Sequence, residues 1–242
     1  AVDLVVPLST EDQDWFCRPA VHEALRPAAV LTSTEAAVRV ANRKTALFAH
    51  LADRPHLLPA HAIVDDAAAA VDVVEALVAQ HGAALLKSDA GTGGRGMVCI
   101  GAPSTDPAPA AGRSFVPLDV WHEVAAASPA LRAHVAPSVW GPRALWPQLA
   151  VAYLPGDEFS VDVLADAGRG LAAVVRLRTA AVGGLAVTAR VVDAPDVAAA
   201  ARELVAAVGL SHVVNVQFRR GAEGAPRLLE INPRTPGTIG LT

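Results

Sequence analysis

Apolar and polar positions follow two rhythms along this chain, and the places where one gives way to the other mark its elements. Val2 to Leu8 is a mostly apolar run that reads as a buried parallel strand. Glu35 to Ala52, Ala67 to Gln80 and Trp121 to Val135 have helical spacing, and Val197 to Val208 is a long alanine-rich helix placed to back the final sheet. Two apolar strands, Ala83 to Leu86 and Met97 to Ile100, flank a glycine-rich loop. In the stretch from Trp146 a further apolar strand leads to a Pro155-Gly156 turn. After that turn Glu158, Ser160 and Asp162 alternate with Phe159, Val161 and Val163, the period of a half-buried strand. Val214 to Phe218 and Arg227 to Asn232 are two more strands, and Arg219 to Gly224 between them has the glycine and polar content of a hairpin connection. Pro103 to Pro117, rich in alanine and proline, reads as a surface connection within one body, and no internal repeat interrupts this order.

Chemistry concentrates at three of these places. In the last hairpin, pairing makes Gln217 and Glu230 near neighbours, and alternation puts Glu230 and Asn232 on one face. One carboxylate and two amide oxygens then converge, a donor set that suits Mg²⁺ carrying nucleotide phosphates. Pro233 stops the ladder, and Arg234 adds a forked donor where a phosphate can sit. An exposed strand end with assorted polar residues is the plainer reading of the same segment. The second place is Lys87, which ends an apolar strand before Gly91, Gly93, Gly94 and Gly96. Those glycines satisfy GxGxxG, but the dinucleotide fingerprint needs a helix opening at the loop, whereas Met97 to Ile100 continues as β structure. A Walker A loop is excluded because no Gly-Lys-Ser/Thr closes the run. What remains is a strand-loop-strand flap whose bare N–H groups can fold onto phosphates, with Lys87 as point charge, or else a flexible hairpin tip. The third place is the strand at Val151 to Leu154 followed by Glu158, where main chain can meet an adenine edge and a carboxylate can accept ribose hydroxyls. By itself that segment is an ordinary hairpin.

Composition narrows the classes. The 242 residues are 52% hydrophobic, enough for one large domain or two lobes. A formal charge of -4 and few aromatics argue against a nucleic-acid surface. Cys17 and Cys99 are too few and too scattered for a disulfide framework or a zinc site, which points to a reducing cytoplasm, and each reads as a small core residue. The eight histidines show no ligand spacing. No targeting signal is visible at Ala1-Val2-Asp3-Leu4, and no apolar run reaches the length of a membrane span.

Taken in order, lysine with glycine flap, hinge strand with Gly-x-Glu, then Gln and Glu-x-Asn-Pro-Arg, the chain resembles the ATP-grasp superfamily from about Asp3 to Pro236. Asn42-Arg43-Lys44 before an amphipathic segment agrees, since the family usually shows Asp-Lys before a helix and a proline. The Glu-x-Asn-Pro-Arg segment is the most specific part. The resemblance implies an α/β fold with an α+β lid, the nucleotide held between two sheets. Residues 1–61 would be the end of a preceding α/β domain with the first ATP-grasp helix, 62–150 the lid, and 151–242 the core with the metal site.

The resemblance also implies roles. Lys44 and Lys87 correspond to the lysines on the α- and β-phosphates, and Gly91, Gly93, Gly94 and Gly96 to the flap. Val151, Tyr153 and Leu154 belong to the adenine hinge, and Glu158 is the ribose acceptor. Gln217, Glu230 and Asn232 hold Mg²⁺, with Glu230 bridging two ions and Mn²⁺ able to substitute; Arg234 faces the γ-phosphate or an acyl phosphate. Arg176 and Arg178 are candidate clamps for a substrate carboxylate, or simply residues of a solvated strand. Ser88 stands where proline is usual, Ala152 where a hinge Glu is common, and Arg43 in place of an acidic residue; these bear on how adenine is held. The activity implied is ATP- and Mg²⁺-dependent carboxylate-amine ligation through an acyl phosphate. Its partners are a small-molecule carboxylate and an amine, with no nucleic acid and no membrane, and a homodimer is compatible. Carbamoyl-phosphate-synthase-like phosphorylation of bicarbonate or carbamate, and a nonenzymatic nucleotide-binding module, are the rival readings. Val2 to Pro7 resembles the last strand of a preceding domain, and the chain stops soon after the metal motif, so flanking parts that help bind the second substrate are expected to be missing.

Overall fold

The computed structural model describes residues 2–90, 97–101, 115–121, 146–182 and 185–237. They divide into two compact units, one of residues 1–57, 156–179 and 188–242, the other of residues 58–155 and 180–187. The sequence leads one to expect three segments, 1–61, 62–150 and 151–242; here 1–57 groups with 156–179 and 188–242, and 180–187 with 58–155.

The first unit opens with β1 (Leu4–Val5), α1 (Thr10–Phe16), α2 (Pro19–Leu25) and β2 (Ala29–Val30), and β1 pairs parallel with β2. Ser9 caps α1 in a reciprocal box with Asp12, so both orphan ends of that first turn are satisfied. The parallel pairing matches expectation, but the burial does not. Val2, Leu4, Val6 and Leu8 all face solvent, because a two-residue pairing covers only one edge and one face of the strand. The single helix expected from Glu35 to Ala52 is also two helices, α3 (Glu35–Asn42) and α4 (Lys44–His50). Arg43 breaks them with extended backbone at φ -114 and ψ 113, and the neighbouring Asn42 amide is drawn to Asp14 at 2.7 Å.

The main sheet of this unit has the order β10-β9-β8-β11-β12, built from β8 (Glu158–Asp166), β9 (Arg169–Val182), β10 (Leu185–Val191), β11 (His212–Arg220) and β12 (Pro226–Asn232). One face is apolar: Phe159, Val161, Val163, Val175, Val214, Val216, Phe218, Leu228 and Ile231 are buried there. The helix α6 (Pro195–Val208) packs on that sheet with Val197, Ala201, Leu204 and Val205 buried, and α3 packs beside it. Burial of each such large side chain contributes on the order of 1.5–3 kcal/mol. The opposite face therefore receives the polar residues that alternate with these apolar ones on β8, β9, β11 and β12.

The second unit has a five-stranded sheet, β3-β7-β4-β5-β6, from β3 (His61–Val64), β4 (Ala83–Ser88), β5 (Met97–Gly101), β6 (Phe115–Val116) and β7 (Gln148–Ala152). The helix α5 (Ala67–His81) starts at Asp66, whose side chain accepts from the Ala69 N–H, and ends at Gly82 in the left-handed conformation. Its Ala70, Val74 and Leu77 pack on Leu86, Val98, Ile100, Ala150 and Trp121. Gly101 is required where β5 meets the end of this helix: its φ is +95°, and a Cβ there would stand 2.7 Å from the Gly82 carbonyl oxygen. The expected surface connection from Pro103 lies mostly outside the described residues, as does the expected helix beyond Trp121. Among the described residues, no helix is long and apolar enough to cross a membrane.

Candidate functional site

The polar face of the first unit's sheet is assembled by strand register. Gln217 on β11 pairs with Ser160 on β8 and with Glu230 on β12, while Asn215 pairs with Asp162 and with Asn232. On the other side of β8, Ser160 pairs with Arg176 on β9. Alternation on four strands thus brings Glu158, Ser160, Asp162, Arg176, Arg178, Asn215, Gln217, Glu230 and Asn232 to one face.

A bulge makes this arrangement possible on β12. The pairing jumps between Gln217 opposite Glu230 and Phe218 opposite Leu228, leaving Leu229 as the extra residue. Strict alternation would put Leu228 on the same face as Glu230. With the bulge Leu228 is fully buried against the core, while Glu230 and Asn232 keep the polar face.

Hydrogen bonds tie the face together. Arg176, only 1% exposed, sets its Nη2 2.5 Å from Asp162 Oδ2. Asp162 Oδ1 accepts from Asn215 Nδ2 at 2.7 Å, and the same nitrogen lies 2.7 Å from Ser160 Oγ. Asn215 Oδ1 in turn accepts from Gln217 Nε2 at 3.4 Å. Arg178 Nη1 donates to Glu158 Oε1 and reaches Gln217 Oε1 at 3.4 Å. At the end of β12, Asn232 Nδ2 donates to Glu230 Oε1 at 3.1 Å. Arg234 Nη2 points at Asn232 Oδ1 and its Nε at Thr10 Oγ1, each 3.5 Å away.

The segment that leads into β8 is fastened to the end of β11. Gly156 N–H donates to the Arg220 carbonyl at 3.1 Å, the Arg220 N–H to the Asp157 carbonyl at 3.0 Å, and Arg219 Nε to the Gly156 carbonyl at 2.8 Å. Arg220 itself grips Asp196 at the start of α6 through Nη1 and Nη2, which holds the Asp196 carboxyl below its usual range. Glu158 follows two residues after Gly156, so its position is inherited from this fastening. Lys44 is the first residue of α4, half-buried and on a different element from the sheet face.

In the second unit, Lys87 projects from the penultimate position of β4, opposite Met97 on β5 and Leu149 on β7, and is 7% exposed. Alternation aligns it with Leu85, Leu149 and Val151, on the face away from α5. The strand-loop-strand arrangement is present as the antiparallel β4/β5 pair; the glycines Gly91, Gly93, Gly94 and Gly96 lie outside the described residues. Along the hinge, Val151 sits within the ladder, and the N–H groups of Ala152 and Tyr153 are committed to the carbonyls of Ala60 and Ala83, at 2.8 and 2.9 Å. Leu154 closes the segment, nearly buried.

The buried members Asp162, Asn215 and Ser160 were not singled out as site residues by sequence reasoning. Their signal was nonetheless present, in polar residues at consecutive same-face positions of strands whose other face is wholly apolar.

Comparisons with known proteins bear on the fold. The profile of the family described as "ATP-grasp in the biosynthetic pathway with Ter operon" matches residues 145–242. No curated protein matches the chain. Among solved structures, a biotin carboxylase from Campylobacter jejuni in a β-γ-ATP complex is similar at TM-score 0.69 and 13% identity, over 97% of this chain and 49% of that one. The D-alanine-D-alanine ligase from Coxiella burnetii is similar at TM-score 0.63 and 12% identity, over 96% of this chain and 59% of that one. The biotin carboxylase domain of the 2-oxoglutarate carboxylase from Hydrogenobacter thermophilus, solved with MgADP and bicarbonate, gives TM-score 0.66 at 13% identity, over 97% and 49%. The chain spans between about half and three fifths of the length of these three structures. The chain has the ATP-grasp fold, and the α/β class and the resemblance drawn from its motifs are borne out.

Proposed function

We propose that this ATP-grasp chain binds ATP with Mg²⁺ and carries the phosphorylating half of a carboxylate-amine ligase. The observation that carries the reading is the polar sheet face on which register sets Gln217 opposite Glu230 and places Asn232 and Arg234 just beyond. The donor set fits Mg²⁺: one carboxylate and two amide oxygens, all hard, with no imidazole or thiolate. Among the described residues no group of three His, Cys, Asp or Glu could hold a metal, so an ion here would need phosphate oxygens and water to complete its shell. Gln217, Glu230 and Asn232 would hold it, and when bound it neutralises phosphate charge.

The chain's own residues do the rest. Lys87 supplies a point charge to the phosphates, and Lys44, though it opposes the helix dipole from the first turn of α4, is the second lysine assigned to them. Leu154 offers the hinge N–H that Ala152 and Tyr153 do not. Glu158 accepts from ribose hydroxyls, in competition with Arg178. Arg176 is enclosed and bound to Asp162, so under this reading Arg178 is the arginine to meet a substrate carboxylate, and Arg176 acts through Asp162. A carboxylate oxygen of the substrate bonds to the γ-phosphorus as the bond to the β,γ-bridging oxygen breaks, releasing ADP. An amine nitrogen then bonds to the acyl carbon, phosphate departs, and the amine loses a proton. Catalysis is largely positioning and charge neutralisation, with Arg234 beside the transferred phosphoryl group.

The test is ADP release with a panel of amino acids and small carboxylates, with hydroxylamine added to trap the acyl phosphate as a hydroxamate. Trapping with an organic carboxylate supports the ligase, and Arg234→Ala should abolish trapping more than it weakens ATP binding. ADP release driven by bicarbonate alone, with no hydroxamate from any organic carboxylate, would instead support carbamoyl-phosphate-like chemistry. Binding of MgATP with no turnover on either panel would leave a nucleotide-binding module.

A further inference from the structure

A side-chain amide offers one oxygen and one nitrogen, and only the oxygen can face a cation. Gln217 therefore has a right and a wrong orientation, and Glu230, directly opposite in register, favours the wrong one by attracting the NH₂ end. We infer that Asp162, acting through Asn215, fixes the Gln217 amide with its oxygen toward the nucleotide-bearing side, which makes Asp162, Asn215 and Arg176 positioning residues of the site. This rests on the proposed metal role of Gln217.

The polarity runs outward from a buried charge. Arg176 Nη2 holds Asp162 Oδ2 at 2.5 Å and keeps a carboxylate in a place where an unpaired one would be costly. Asp162 Oδ1 lies 2.7 Å from the Asn215 nitrogen. Reversing Asn215, which is 2% exposed, would press an amide oxygen against that carboxylate oxygen, so its orientation is settled by the charge. Asn215 Oδ1 must then face Gln217, and it can accept only from the nitrogen end, which is the contact observed at 3.4 Å. The Gln217 oxygen is left on the far side, where Arg178 Nη1 stands 3.4 Å away. A carboxylate at position 217 would need no such relay, because both of its ends are oxygen.

The experiment measures the Kd of Mn²⁺ in the presence of saturating ADP, from the electron paramagnetic resonance signal of free Mn²⁺. Asp162→Asn/Arg176→Gln removes the ion pair without stranding a buried charge. Asn215→Ala leaves the ion pair in place and is the second arm should the first fail to fold. Each should raise the Mn²⁺ Kd roughly five- to tenfold, as the competent amide orientation falls to a fifth or a tenth of the population. In a Gln217→Glu background the same changes should move it less than about twofold. Equal losses in the two backgrounds, or no loss in either relay variant while Gln217→Ala weakens Mn²⁺ binding, would overturn the relay alone. No effect of Gln217→Ala on Mn²⁺ would overturn the metal reading and the relay's purpose with it.

Discussion

Replacing Gly156 by alanine tests the fastening that places Glu158. A Cβ at this position would stand 2.7 Å from Arg220 Cβ and 2.9 Å from the Arg220 carbonyl oxygen, against an ordinary contact of 3.4–4 Å. Neither atom is the far end of a flexible side chain, so the end of β11 or the turn itself must move by several tenths of an ångström. The three hydrogen bonds that join Gly156, Asp157, Arg219 and Arg220, at 2.8–3.1 Å, share that displacement. Overpacking of this kind costs about 1–3 kcal/mol. Loosening one or two of the bonds adds roughly 0.5–1.5 kcal/mol each. A total of about 2–4 kcal/mol corresponds, at roughly 2–4 °C per kcal/mol for a chain of this size, to a fall in Tm of about 5–15 °C. Calorimetry of Gly156→Ala measures it, and Gly237→Ala, where among the described residues nothing stands within 4 Å of the added Cβ, is the control expected to stay within about 1 °C. Because Glu158 follows two residues later, the Kd for ADP should rise along with the loss of stability. A Gly156→Ala protein that melts with the parent and binds ADP equally well would show that the turn tolerates the displacement and that the fastening does not position Glu158.

Three further outcomes follow from the same geometry. Glu230→Gln removes the one carboxylate of the proposed metal set and should lower turnover by orders of magnitude with the thermal transition retained; near-normal ATP consumption by the folded variant would remove Glu230 from that set. Because of the bulge, Leu228→Ala should cost about 2–5 kcal/mol while Leu229→Ala costs well under half as much, and urea titrations that rank them the other way would restore strict alternation on β12. The Asp196 carboxyl is held low chiefly by its hydrogen bond from Arg220, so its contribution is present above the unfolded carboxylate pKa of about 3.9 and is lost as pH falls through the lower folded value. The Tm advantage of the parent over Asp196→Asn, small because the pair is half-exposed, should therefore shrink below about pH 4; an advantage unchanged from pH 7 to pH 3 would show that the charge is not its source.

What the sequence made legible was whatever local period or composition decides. The β4/β5 pair around the glycine run, α5 between its Asp66 cap and Gly82, the Pro155-Gly156 turn and the last hairpin all follow from rules that act over a few residues. The opposition of Gln217 and Glu230 was legible too, since the hairpin connection limits the register. The break at Arg43 was not, because the apolar positions on both sides keep helical spacing and only the pull of Asp14 on Asn42, 28 residues away, shows why the helix turns there. Nor was the bulge at Leu229: Leu228, Leu229 and Ile231 are all apolar, so composition does not say which of the first two reaches the core. The short strands β2 and β3 and the outer strand β10 escaped for a related reason, being defined by partners distant in sequence more than by their own pattern. The polar relay marks the same boundary in the site. Asp162 and Asn215 each look like an unremarkable strand residue and Arg176 like a clamp for a substrate carboxylate, and only the registers of β8 with β9 and with β11 bring a buried charge, an amide and a candidate ligand into one line. Chemistry carried by one segment is thus readable from that segment, whereas chemistry that orients it is divided among strands and becomes visible only once they pair.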